Sequence, residues 1–235
     1  MITAGRFAGW RARTVKAAVS GALALLAGAC SSASSGNTNY SQFYQVLRQS
    51  FAASMGRVRV TREQAGAIPY ATMGYRLDGG NQALLVLGTD SSGELLWTSA
   101  ARVVIVTRGG RIVRTIGLGH DRAAQTTRDA TRLPPPAAAI RGSFATTRLE
   151  DFPELGFYGV QVSCRARMTG RQTIKILGQA IATIRVDETC SSRKPDWSFT
   201  DTFWVDADNG LVWRSLQHVH PNGDAVETEI LRPPA

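Results

Sequence analysis

Lysine, cysteine and histidine are the scarce residues of this chain: each occurs three times in 235 residues, and arginine supplies 24 of the 27 positive charges. No Cys-x-x-Cys pair occurs and no histidine neighbours a cysteine in sequence, so nothing marks a redox or nucleophilic thiol. A Gly-x-Ser-x-Gly nucleophile elbow is absent, as is any glycine loop of the phosphate-binding kind. Its acids are scattered, so no paired-carboxylate glycosidase is indicated. An apolar run of about 20 residues, the length a membrane-spanning helix needs, is also missing. The first 29 residues hold no acid at all.

Those 29 residues carry Arg6, Arg11, Arg13 and Lys16, then an uncharged run from Ala17 to Ala29 with Leu23, Leu25 and Leu26 at its centre. A basic segment, a short apolar segment and a small-residue boundary are the parts of a secretory signal. The run ends Leu26-Ala27-Gly28-Ala29-Cys30, which resembles the lipobox of bacterial lipoproteins. That resemblance implies diacylglyceration of the Cys30 thiol, cleavage before it and acylation of the new amine. Ala27 stands where leucine is usual, and Leu26 lies one step further out. Residues 31–39 are rich in Ser, Gly and Asn and read as a flexible tether. One acyl chain binds a membrane marginally and two or more hold stably, so a triacylated Cys30 would anchor the body that follows. Ser31 after the cysteine, rather than Asp, implies by the same resemblance sorting to the outer membrane.

Without the signal, 23 positive charges face 18 negative ones, so the net charge falls from +9 to +5. An exported protein with that modest excess is not expected to bind nucleic acid. The expected organisation is a signal peptide over 1–29, a tether over 30–39 and one mainly β domain over 40–235, since about 205 residues suffice for one core and are few for two. With Cys30 lipidated, Cys164 and Cys190 remain, and an oxidising compartment permits them to pair. Two free buried thiols are the competing reading.

Phe43, Leu47 and Phe51 recur at helical spacing, so a helix is expected from Ser41 to about Met55, ended by Gly56. The rest reads as strands: 57–62, 70–77, 82–87, 94–98, 102–107, 111–116, 157–168, 171–186, 199–205, 211–219 and 225–232. Gly109-Gly110 is the expected two-residue hairpin turn. Residues 117–141, with the triple Pro134-Pro135-Pro136, read as a long surface excursion. About ten antiparallel strands tend to curl or close because open edges invite pairing. The expected fold is therefore a curved antiparallel meander or barrel-like sheet with one N-terminal helix.

His218 and His220 are two apart on an expected strand and would share a face, but no third metal ligand is identifiable. His120-Asp121 falls in the excursion. Asp206-Ala207-Asp208-Asn209-Gly210 reads as a turn rather than a calcium loop, because Gly210 and Gln217 occupy two ligand positions. No metal and no cofactor are expected. Arg57 with Arg59, Arg165 with Arg167, and Arg171 with Lys175 align on strand faces that suit carboxylate or phosphate, or are simply solvated. Trp97, Trp204 and Trp213 are candidates for stacking on a glycan, although large aromatics are more often core.

Several segments in order resemble the YjbF/GfcB family of lipoproteins associated with group 4 capsule and exopolysaccharide production. They are residues 68–71 (Ile-Pro-Tyr-Ala), 82–87, 96–100, 110–118, 203–206 (Phe-Trp-Val-Asp), 210–215 and 229–233. The likeness lapses over 119–143 and does not place Cys164 or Cys190. It implies a mostly β periplasmic domain, held at the outer membrane, that assists polysaccharide assembly or export beside export proteins or the polysaccharide itself. No catalytic residues come with it, and no enzyme is expected. An acidic-glycan-binding module and a glycan-modifying enzyme are the alternatives.

Overall fold

The computed structural model describes residues 58–127 and 133–234. The expected helix over 41–55, the signal segment and Cys30 lie outside the described residues.

The described chain opens with one short helix, α1 (Arg62–Gly66). Thr61 accepts from the Gln64 amide at its N-terminus, and Gln64 returns a bond to the Thr61 amide, which closes a capping box. This box takes Arg62 into the helix, so the strand expected over 57–62 is not formed by its described residues, 58–62. Twelve strands follow: β1 (Thr72–Leu77), β2 (Ala83–Ser91), β3 (Glu94–Thr98), β4 (Val104–Arg108), β5 (Arg111–Ile116) and β6 (Ala124–Thr126). Beyond them run β7 (Phe144–Phe152), β8 (Phe157–Ile176), β9 (Gln179–Arg193), β10 (Asp196–Val205), β11 (Val212–His218) and β12 (Ala225–Arg232). Two 3-10 turns, Pro136–Ile140 and Pro153–Leu155, precede β7 and β8.

All twelve strands form a single antiparallel sheet in the order β5-β4-β3-β2-β1-β12-β11-β10-β9-β8-β7-β6. The order is a meander bent round until its first and last strands pair, Thr72 opposite Arg232 and Leu77 opposite Val226. The fold is thus mainly β, a nearly closed barrel-like sheet with a single break between β5 and β6. Curling removes every edge but two, and the break is itself bridged. The Thr115 amide donates to the Arg122 carbonyl at 2.9 Å, and the Arg122 amide donates to Thr115 Oγ1 at 2.9 Å.

Period-two alternation builds the interior. In β8, Val160, Val162, Cys164 and Ala166 are buried while their neighbours are exposed. Cys164 and Cys190 stand directly opposite in the β8–β9 ladder and are joined as a disulfide. They belong to an apolar cluster with Phe152, Val160, Val162, Trp197 and Phe199. A second cluster holds Met73, Leu85, Trp97, Ile105, Ile112 and Val226.

The expected excursion over 117–141 is corrected by the fold. It contains β6, and it contains Arg122, only 1% exposed. Ala139 of the proline-rich turn packs with Phe203, Val205 and Val212 in a third cluster. A polar composition hid this packing, because the buried groups there are an arginine, a glutamine, a proline and an alanine rather than large apolar side chains. β7 is a further strand beyond those expected; its buried positions include Arg148 and Glu150, which do not advertise a core strand.

Candidate functional site

Among the described residues, one buried network inside the sheet joins Arg111, Arg122, Arg148, Glu150, Glu188 and Asp201, each at most 4% exposed. Three cations thus meet three anions. Arg111 Nη2 donates to Glu188 Oε1 at 2.7 Å, and its Nη1 donates to the Pro134 carbonyl. Arg148 reaches Glu188 Oε2 at 3.2 Å, Asp201 Oδ2 at 3.5 Å and Glu150 Oε1 at 2.6 Å, the last off the axis of a hydrogen bond. Arg122 pairs with Glu150 Oε2 at 3.0 Å and donates to the carbonyls of Ile112 (2.8 Å) and His218 (2.9 Å).

Burial alone would lower the Arg148 pKa, but Glu150, Glu188 and Asp201 together raise it above its ordinary value. Burial outweighs the pull of Glu150 at Arg122, whose pKa is lowered. Asp201 also accepts from the His218 amide at 2.8 Å. The guanidinium of Arg111 lies over the Phe203 ring and that of Arg148 over Phe199, so the ionic network is seated on the apolar clusters. With its charges paired internally, this network is a structural device. Alternation in Arg148-x-Glu150-x-Phe152 was the sequence signal for it, since it places both charges on the face of a core aromatic.

A second, open cluster lies on the outside. Arg59, Arg62, Lys175 and Arg214 surround a cavity of about 510 Å³ that also involves Gln82 and Glu229. Glu229 accepts from Arg59 Nη1 (2.7 Å), Arg214 Nε (2.7 Å) and Gln82 Nε2 (2.8 Å). Burial would raise its pKa, but Arg214, Gln82 and Arg59 hold it below the ordinary carboxylate value. The Gln82 side chain passes over Gly74, where an added Cβ would lie 2.5 Å from its amide nitrogen. The Arg62 and Arg214 guanidiniums donate to the Leu177 and Lys175 carbonyls at 2.7 and 2.8 Å, which ties the far end of the β8–β9 hairpin to the wall. Glu227 also pairs with Arg59, at 3.5 Å, and four cations against two carboxylates leave the rim positive.

The three tryptophans fall in different surroundings. Trp97 is 0% exposed in the second apolar cluster and donates to Thr107 Oγ1 at 3.0 Å. Trp213 is half-buried against the same cluster and donates to Asp206 Oδ2 at 3.1 Å. That bond, before those from the Asp208 and Asn209 amides, lowers the Asp206 pKa. Trp204 lies beside the basic cavity, its ring 5.6 Å from the Arg214 guanidinium and its Nε1 donating to Gln172. Of the expected basic positions, Arg59 and Lys175 come together there, while Arg62 and Arg214 were not foreseen.

His218 and His220 do not share a site. β11 ends at His218, whose Nδ1 lies 3.2 Å from Asp201 Oδ1, and the chain leaves the sheet before His220. His220 stacks on His120, ring centroids 5.0 Å apart, and its pKa is lowered by burial and then by His120.

Comparison with known proteins places this geometry. The family model for the group 4 capsule polysaccharide lipoprotein gfcB, YjbF matches residues 13–231. The chain is 28% identical over 176 residues to the uncharacterized lipoprotein GfcB of Escherichia coli K12, covering 75% of this chain and 82% of that one. It is 26% identical over 181 residues to the uncharacterized lipoprotein YjbF of the same organism, covering 74% and 81%. The crystal structure of the hypothetical lipoprotein YmcC from Escherichia coli K12 superposes with a TM-score of 0.68 at 25% identity, over 88% of this chain and all of that one. A match that runs from residue 13 into the last strand, with a shared fold, leaves one conclusion: the chain belongs to the group 4 capsule polysaccharide lipoprotein family typified by GfcB and YjbF.

Proposed function

We propose that this protein is a lipid-anchored periplasmic accessory of the outer membrane that assists capsule or exopolysaccharide assembly or export without catalysing a reaction. The observation that carries the reading is the reach of the family match. It begins at residue 13 and so includes the apolar run that ends at Ala29, and Cys30, along with nearly the whole sheet. In this role acylated Cys30 holds the body at the lipid leaflet, residues 31–39 provide reach, and the sheet presents a rigid surface to the export proteins or the polysaccharide.

Deleting the gene is expected to reduce surface polysaccharide, with restoration by the parent chain and not by Cys30→Ser. The Cys30→Ser protein should appear in the soluble periplasmic fraction, and mass spectrometry of the parent should find a triacylated Cys30 peptide. Unchanged surface polysaccharide in the deletion strain, under conditions that make it, would overturn the role.

A second reading is favoured by the basic cavity: binding of an acidic glycan by Arg62 and Lys175, with Trp204, next to Arg214 of the cavity wall, as a stacking face. Trp97 has no part in it, being core. Calorimetry with uronic-acid oligosaccharides should give heat that weakens at least tenfold in Lys175→Ala and in Trp204→Ala. Equal heat from neutral oligosaccharides would sink this reading.

A further inference from the structure

Successive turns of the meander alternate between its two ends, so the β5–β6, β7–β8 and β11–β12 connections all lie at one end. Each contributes one donor group to a common point: His120, Glu154 and His220 respectively. Their ligand atoms all lie within 4.8 Å of one another. Tetrahedral bonds of about 2.0–2.2 Å to nitrogen and oxygen separate neighbouring ligands by about 3.3–3.5 Å. His120 Nδ1 and Glu154 Oε2 are 3.4 Å apart, already on such an edge.

The third group supplies an independent sign. His220 is 1% exposed, and its Nε2 has no hydrogen-bond partner. A buried ring nitrogen without a partner costs free energy that a ligand would recover. Its Nδ1 accepts from the Asn222 amide at 3.1 Å. Coordination through Nε2 therefore moves the ring proton to Nδ1 and releases that amide. His120 binding through Nδ1 likewise keeps its proton on Nε2. Neither neutral ring loses a proton overall, and no electron is transferred.

We infer that His120, Glu154 and His220 form a binding site for one divalent transition-metal ion of the zinc class. Two imidazoles and a carboxylate suit zinc, cobalt, nickel or copper rather than magnesium or calcium. Three protein ligands leave at least one position for water or a partner's donor group. The ion would fasten together three turns, one of which crosses the break in the sheet. The site stands apart from the basic cavity and does not depend on the proposed function.

The test uses the untagged mature protein carrying Cys30→Ser, so that neither a histidine tag nor a free thiol binds metal. Zinc chloride titrated calorimetrically should bind at one ion per chain, and cobalt chloride should develop the visible absorption of a low-symmetry four- or five-coordinate ion. The Asn222 amide resonance should shift on saturation. His120→Ala and Glu154→Gln, both at exposed side chains, should weaken zinc binding at least tenfold while leaving the metal-free thermal midpoint where it was. Absence of saturable zinc binding by the parent, or equal affinity in His120→Ala, would overturn the site.

Discussion

Arg148 shows at residue scale how the interior is arranged. It faces Glu150, Glu188 and Asp201 at once, while Arg122 reaches only the first of these and Arg111 only the second. Truncating one partner of a buried ionic set leaves uncompensated charge and typically costs about 3–5 kcal/mol. Arg148→Leu is expected to lose that much in urea denaturation, whereas Arg165→Leu, at an exposed position of β8, should change the midpoint little. Glu229 yields a pH dependence. Its folded pKa lies below its unfolded value, about 4.3, so its contribution is full above that pH and fades as pH falls through the folded value. Thermal midpoints measured from pH 6 down to pH 3 should fall, and the part due to this group should vanish in Glu229→Gln.

At the scale of elements, turns and cross-strand pairs carry most of the specification. Gly109 and Gly110 both adopt positive φ, 56° and 86°, as a two-residue turn between right-twisted strands requires. A Cβ at Gly110 would lie 2.3 Å from Val212 Cγ2, whereas one at Gly109 would meet Pro135 Cβ at 3.1 Å. Gly110→Ala should therefore destabilise more than Gly109→Ala, by at least about 1 kcal/mol, in a denaturation series. The Cys164–Cys190 bridge closes a span of 26 residues, for which the chain-entropy account gives about 3–4 kcal/mol. The Cys164→Ser, Cys190→Ser double variant should lose stability of that order and still fold, since β8 and β9 pair along the whole ladder without it.

The same elements show what could be read beforehand. Strands with clean alternation or apolar runs, such as β2, β4 and β12, were legible, as was the Gly109-Gly110 turn. β6 and β7 were not, because their buried positions include Gln125, Arg148 and Glu150, whose burial depends on partners far along the chain. The basic cavity was half visible, through Arg59 and Lys175; Arg62 and Arg214 come from a helix and a strand that only the closed sheet brings near. The histidine pair misled because spacing implied one strand face, while β11 stops between the two rings.

On the scale of the whole molecule, the twelve strands make one sheet whose only break, between β5 and β6, is held by Arg122 and Thr115. Arg122→Met would remove the ion pair with Glu150 and the bonds to Ile112 and His218. Amide hydrogen exchange should then speed at Thr115 and along β6, with local opening easier by about 1–3 kcal/mol, before β9 and β10 are affected. Exchange that accelerates uniformly would mean the break is not the weak point.

The pairing of β1 with β12 also bears on synthesis. A chain delivered amino end first has eleven strands in hand while Thr72–Leu77 and Val212–His218 both still lack a neighbour, because the eight residues that fit between them arrive after the other eleven strands. Until Ala225–Arg232 emerge, the ring stands open at a seam with two bare ladders, the condition under which strands recruit strangers or are cut. Closure thereby waits on the twelfth strand: a copy that stopped before Ala225 would never finish the circle.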